Sequence, residues 1–129
     1  MKLTLLFEGR CKSKANNNRP WLPAEYVKYE RTVAWYAHQQ MKQQNIKMFT
    51  TPVFVKIIFY FKPGIRLDVF NGPKSICDGL NKIVYSDDRL IHKGYVEIRT
   101  DIRERIEMEV WNITEAQETL AFENTLQIK

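Results

Sequence analysis

Residues 53–62, VFVKIIFYFK, decide the architecture. Successive side chains of an extended chain point to opposite faces, so Val53, Val55, Ile57, Phe59 and Phe61 line one side. Phe54, Ile58 and Tyr60 make the reverse side apolar as well. That predicts a strand covered, at least in part, on both faces. Pro63-Gly64 stops it. The apolar run Val53–Phe61 contains Lys56 and is too short to span a bilayer, so no membrane role is expected.

Toward the N-terminus, Lys2–Glu8 reads as an opening strand, with Leu3, Leu5 and Phe7 on one face. Gly9 ends it. Residues 10–22 are polar and hold Asn16, Asn17, Asn18 and Pro20, a loop composition. Pro23 suits the start of a helix. Ala24 to about Gln44 then repeats with helical spacing: Tyr26, Val33, Ala37 and Met41 share a face, joined by Val27 and Ala34. Trp35 and Tyr36 are expected to supply core area to this small domain.

Toward the C-terminus, a second helix is predicted from about Pro73 to Asn81, with Ile76, Cys77 and Leu80 on its apolar side. A loop with Ser86, Asp87 and Asp88 follows. Gly94–Thr100 and Arg105–Trp111 read as strands joined by a short polar turn, hence a hairpin. Thr114 with Gln117 has the spacing of a capping box for a short C-terminal helix, and residues 124–129 are expected to fray. The order β-α-β-α-β-β predicts one α+β domain over residues 1–129, a mixed sheet of about four strands packed by two main helices.

The chain has 129 residues, 44% of them hydrophobic and 12% aromatic. This is enough for a core and excludes disorder. A domain of this size buries only about two-thirds of its unfolded surface, which makes pairing with a second copy favourable. The net charge of +5 suits nucleic acid, an acidic membrane surface or an acidic protein. Arg10, Lys12, Lys14 and Arg19 form a stretch without acids. Residues 99–109 mix both signs and read as a charge-paired surface. Cys11 and Cys77 form no CxxC pair and lie far in sequence from His38 and His92, against a zinc site or disulfide framework. No secretory signal is visible, and a cytoplasmic protein with two reduced cysteines is expected.

The stretch richest in chemistry is 66–91, RLDVFNGPKSICDGLNKIVYSDDRLI. Asp68 follows a strand and turn, Asn71 and Lys74 come next with the lysine at a helix start, Asp78 lies one turn on, and Asp87 and Asp88 occupy the next loop. A strand end, a helix start and a loop can converge. Carboxylates gathered there suit a hard cation such as Mg²⁺, and Lys74 can neutralise a phosphate. Acids in loops also serve as caps and turns. Asp78, four residues after Lys74, fits a plain helix pair and a structural role.

This stretch resembles the core of the RusA-type family of phage and prophage Holliday-junction endonucleases. That family's pattern is Asp-x-Asp-Asn-x-x-Lys, then Asp and Leu in the same helix, then a paired Asp-Asp loop. Asp68, Asn71, Lys74, Asp78, Leu80, Asp87 and Asp88 stand at matching positions. FEGRCKSKANNNRP and PAEYVKYE are similar to the family's first loop and first helix. The likeness runs to about Trp111. It implies Mg²⁺-dependent hydrolysis of phosphodiesters in branched DNA during recombination and repair, with Mn²⁺ a possible substitute. The cell would be a bacterium or a phage-infected bacterium. By the resemblance Asp68 and Asp88, with Asp87, hold the metal, and Lys74 contacts the phosphate. A homodimer is also implied, since a four-way junction has two-fold symmetry and needs two matched nicks.

One position departs from the pattern. Two residues after Asp68 the family has aspartate, and this chain has Phe70. A phenyl ring cannot bind Mg²⁺. The chain is then a junction binder without cleavage, or recruits Asp87, Asp78 or another acid, or carries an introduced substitution. Phe70 could also simply pack beside the second helix. Arg10, Lys12, Lys14, Asn17, Asn18, Arg19 and Asn71 are the expected DNA contacts. Trp21, Trp35 and Tyr36 are alternative stacking partners for unpaired bases. Nothing in the sequence resembles a helix-turn-helix, which disfavours a duplex-binding regulator.

Overall fold

The computed structural model describes residues 2–10, 24–64 and 71–113. The predicted C-terminal helix and tail, the basic loop and the segment holding Asp68 and Phe70 lie outside the described residues. Four strands, β1 (Lys2–Glu8), β2 (Val53–Phe61), β3 (Ile91–Thr100) and β4 (Arg105–Asn112), form one sheet in the order β1-β4-β2-β3. Two helices, α1 (Ala24–Gln44) and α2 (Asn71–Leu80), complete an α+β architecture.

β2 occupies the interior of the sheet, as its two apolar faces require. Its residues are buried throughout except Lys56. The odd-numbered residues 53–61 join Leu3, Leu5, Phe7, Ile106, Met108 and Val110 in the core, where Val33, Ala37 and Met41 of α1 and Ile76 and Leu80 of α2 cover them. The reverse face is closed in the plane of the sheet. Phe54 packs on Trp111 with ring centroids 4.9 Å apart, and the Arg105 guanidinium lies 3.7 Å over the Tyr60 ring. Phe54, Ile58 and Tyr60 are therefore nearly buried without belonging to the core cluster.

The expected hairpin does not form. β3 runs parallel to β2, while β4 runs antiparallel to β2 on its other side and antiparallel to β1. Residues 101–104 cross the C-terminal end of β2, where the Asp101 N–H donates to the Phe61 carbonyl at 2.8 Å. Two strand spacings are only about 10 Å, which four residues span easily. β3 also starts three residues earlier than Gly94.

Trp35 and Tyr36 are a second correction. They are 59% and 49% exposed and meet edge-on at 5.1 Å. The buried stripe of α1 is Val33, Ala37 and Met41, four residues apart, and neither aromatic falls on it. α1 ends in a Schellman motif: Asn45 takes φ 56, the Ile46 N–H donates to Met41 O and the Asn45 N–H donates to Lys42 O. Where α1 crosses α2, Gly79 permits the approach. A Cβ there would stand 3.3 Å from Val33 Cγ1 and 3.4 Å from Glu30 O.

α1 also closes the free edge of β1. The Gln40 side chain accepts from Leu6 N–H at 2.7 Å and donates to Leu6 O at 2.9 Å. Gln44 does the same to Thr4, at 3.0 and 2.6 Å. Spaced four residues apart, the two amides imitate a neighbouring strand. Replacing both by alanine is expected to lower stability by about 1–3 kcal/mol and to speed hydrogen exchange at the Thr4 and Leu6 amides. Unchanged exchange at those amides would contradict the role.

Candidate active site

The candidate site is built on the crossover between the parallel strands β2 and β3. The turn after β2 uses Gly64 at φ 87, a backbone state open to glycine. α2 begins at Asn71 with Pro73 in its first turn, where a missing N–H does no harm. Its core face is set by Ser75, Ile76, Gly79 and Leu80. Lys74 is exposed and Asp78 half-buried, so both stand off that face.

Tyr85 ties α2 to the following loop. It is fully buried, and its hydroxyl donates to the Cys77 carbonyl at 2.6 Å. Leu80 O accepts from the Ile83 and Val84 N–H groups, so the last turn of α2 is satisfied locally. Phe49 and Tyr85 form a parallel bridge flanked by Phe49 N–H to Val84 O and Ser86 N–H to Phe49 O. These bonds fix where the chain emerges at Asp87.

Asp87 caps a short 3₁₀ turn, Asp88–Leu90. One carboxylate oxygen accepts from Arg89 N–H at 2.9 Å and the other from the Arg89 guanidinium at 3.1 Å. The Arg89 side chain first, then its backbone N–H, hold the Asp87 carboxyl down at about 2. Asp88 is exposed beside it. The charges of Asp78 and Asp88 both bear on the Cys77 thiol and the Tyr85 hydroxyl, where they add to the upward shift that burial causes. Among the described residues no three His, Cys, Asp or Glu side chains come together as a metal-holding group.

Asp68, Phe70, Lys12, Lys14, Asn17, Asn18, Arg19 and Trp21 lie outside the described residues. Asn71 is the first residue of α2. Arg10 is described, and its guanidinium pairs with Glu104 at 2.9 and 3.1 Å. The basic stretch has no acid in sequence, yet the fold supplies one from the turn before β4. In residues 99–109 the reading of a charge-paired surface holds: Arg103 pairs with Glu8, and Arg105 with Asp101 and Glu107.

Two features had no signal in the sequence. Tyr85 reads as an ordinary apolar position, although it anchors the loop that carries the paired aspartates. Lys42, Lys47, Lys82 and His38 come from three separate segments and line one shallow groove whose lining holds no acid. Cys77 is a free, mostly buried thiol that burial pushes up to about 11. It is therefore expected to resist iodoacetamide at pH 8 in the folded protein and to react once urea unfolds it. Peptide mass mapping of Cys77 checks this, and rapid labelling of the native chain would refute it.

Residues 7–111 match the family model described as Endodeoxyribonuclease RusA. No curated protein gives a significant match. Among the described residues no helix is long and apolar enough to cross a membrane.

Proposed function

The chain belongs to the RusA endodeoxyribonuclease family, and on that premise we propose that it is a Mg²⁺-dependent homodimeric endonuclease resolving four-way DNA junctions in the cytoplasm. The match over residues 7–111 carries the reading, because it spans the whole unit from Asp68 through Lys74 to Asp88. The donor set fits a hard cation in kind. Asp88 presents a solvent-facing carboxylate, and Mg²⁺ needs only one or two protein carboxylates when substrate oxygens and waters complete its shell. Asp68 and Asp88 would hold the ion, with Mn²⁺ able to replace it. Asp87 has both oxygens engaged by Arg89 and caps the turn that opens with Asp88; it would have to release Arg89 to become a ligand.

When bound, the cation supplies Lewis-acid stabilisation of charge on the phosphate and acidifies a nearby water. The residues of the chain do the rest. Lys74 stands exposed on the first turns of α2 and offers a positive charge to the phosphate oxygens. Tyr85 and the Phe49 bridge hold the loop so that Asp88 needs little reordering. The groove of Lys42, Lys47 and Lys82, with the basic stretch Arg10–Arg19, offers phosphate contacts along an arm. If about six phosphates are neutralised per dimer, log affinity falls against log salt with a slope near −5.

The test is a labelled four-way junction incubated with the protein and Mg²⁺, beside linear duplex of the same sequence. Preference for the junction, with paired nicks that need the metal, is the expected result. Equal affinity for linear DNA without nicking would overturn the reading. Lys74→Ala is expected to lower the cleavage rate about 10–100-fold while junction affinity changes less than threefold. Equal loss of both would move Lys74 to the binding surface. One residue favours a second reading. Phe70 stands where the family has aspartate, so a branched-DNA-binding protein without cleavage is the alternative, and binding without nicking would select it.

A further inference from the structure

The sheet has two outer strands, and the chain treats them differently. The edge of β1 is closed by Gln40 and Gln44. β3 pairs with β2 on one side, and no described strand pairs with its other side. It is ten residues long, contains no proline, and leaves Tyr95 and Ile98 46% and 39% exposed. Its one irregularity against β2 lies near its start, at His92. A long, partly apolar edge is a template for another strand, and proteins rarely leave one open.

We infer that β3 pairs antiparallel with β3 of a second copy, centred on Tyr95, to make a continuous eight-stranded sheet. The argument is the self-complementarity of IHKGYVEIRT. In a two-fold antiparallel pair about Tyr95, Lys93 faces Glu97 of the other copy, and the symmetry repeats that ion pair. Tyr95 faces its own copy, and Gly94 faces Val96. Lys93 and Tyr95 are exposed and Glu97 half-buried on the same side of the strand. Neighbouring registers lose this match. Centring on Gly94 pairs no charges, and centring on Val96 sets Lys93 against Arg99. Glu97 now bonds Arg99 and the Tyr95 hydroxyl on one face of its own strand, so Lys93 of the other copy would share its carboxylate with Arg99. The two copies keep their helices on the same side of the joined sheet, since only a two-fold axis normal to it gives this pairing.

The inference deepens the two-fold reading proposed above and rests on it, and the following experiment separates the two. Sedimentation velocity gives the mass of the parent chain, of Lys93→Glu, of Glu97→Lys and of the double variant, with circular dichroism as the check that each is folded. The expected result is a dimer for the parent. Each single variant should raise the dissociation constant at least about tenfold, and the charge-swapped double variant should return to within about threefold of the parent. Under mild oxidation Tyr95→Cys should cross-link above the parent level. Lys93→Cys should not, because its two copies lie about 13 Å apart in this register. A dimer indifferent to all these changes overturns the β3 edge and leaves the homodimer standing. A parent chain that stays monomeric overturns both.

Discussion

Phe70→Asp is expected to raise the rate of junction nicking in Mg²⁺ by about 100-fold or more. Phenylalanine offers no oxygen to a hard cation, and by the family's pattern this position carries the second carboxylate. Restoring it would give the proposed cation a further carboxylate to add to the proposed ligands Asp68 and Asp88. Single-turnover cleavage of a labelled junction measures the gain, with EDTA as the metal-free control and Mn²⁺ as the substitute. Asp88→Asn placed on top of Phe70→Asp should remove the gain if both act through the one proposed ion, since two ligands of one ion cannot contribute independently. If Phe70→Asp binds junctions normally and neither it nor the parent nicks them, the position is not a ligand site. If the parent already nicks at the rate of the variant, the chain has found another acid.

The second large effect falls on stability. Tyr85→Ala is expected to lower the unfolding free energy by about 3–5 kcal/mol, a large share of the roughly 5–15 kcal/mol typical of a domain. Among the described residues Tyr85 is the largest fully buried side chain. Its ring fills the space under α2, and its hydroxyl completes the hydrogen bonding of Cys77 O at 2.6 Å. Burial raises the pKa of that hydroxyl far above its ordinary value, so it stays protonated and remains a donor at any working pH. Tyr85→Phe keeps the ring and loses only the bond, and should cost about 1–2 kcal/mol. Urea denaturation of both variants gives the numbers. An alanine variant as stable as the parent would show that the ring is not structural.

The pattern of elements was legible because burial leaves a period in the sequence. Leu3, Leu5 and Phe7 alternate, and Val33, Ala37 and Met41 recur at four, so β1 and α1 have the bounds their periodicity gives. Pairing partners leave no such mark. The short turn before Arg105 looks the same whether β4 folds back on β3 or steps over to β2, and only the doubly apolar character of β2 hints that it needs two neighbours. Trp35 and Tyr36 misled because size and apolarity say nothing about phase on a helix. The acids 87 and 88 could be found, but not their division of labour. That depends on Arg89, which occupies one of the two. Glu104 meeting Arg10 is likewise invisible, since ninety-four positions separate them.

The sheet order has a consequence for how the molecule comes into being. β4 is the last of the described strands along the chain, yet it lies between β1 and β2. While a ribosome is still short of Arg105, β1 has no partner in the sheet and the β2-α2-β3 unit stands apart from it. A fragment stopped there would lose two strands' worth of pairing for one strand's worth of sequence. β1 can already bond α1 through Gln40 and Gln44, but its neighbour in the sheet arrives only with β4, so the sheet is joined across its middle by the strand that comes after the other three.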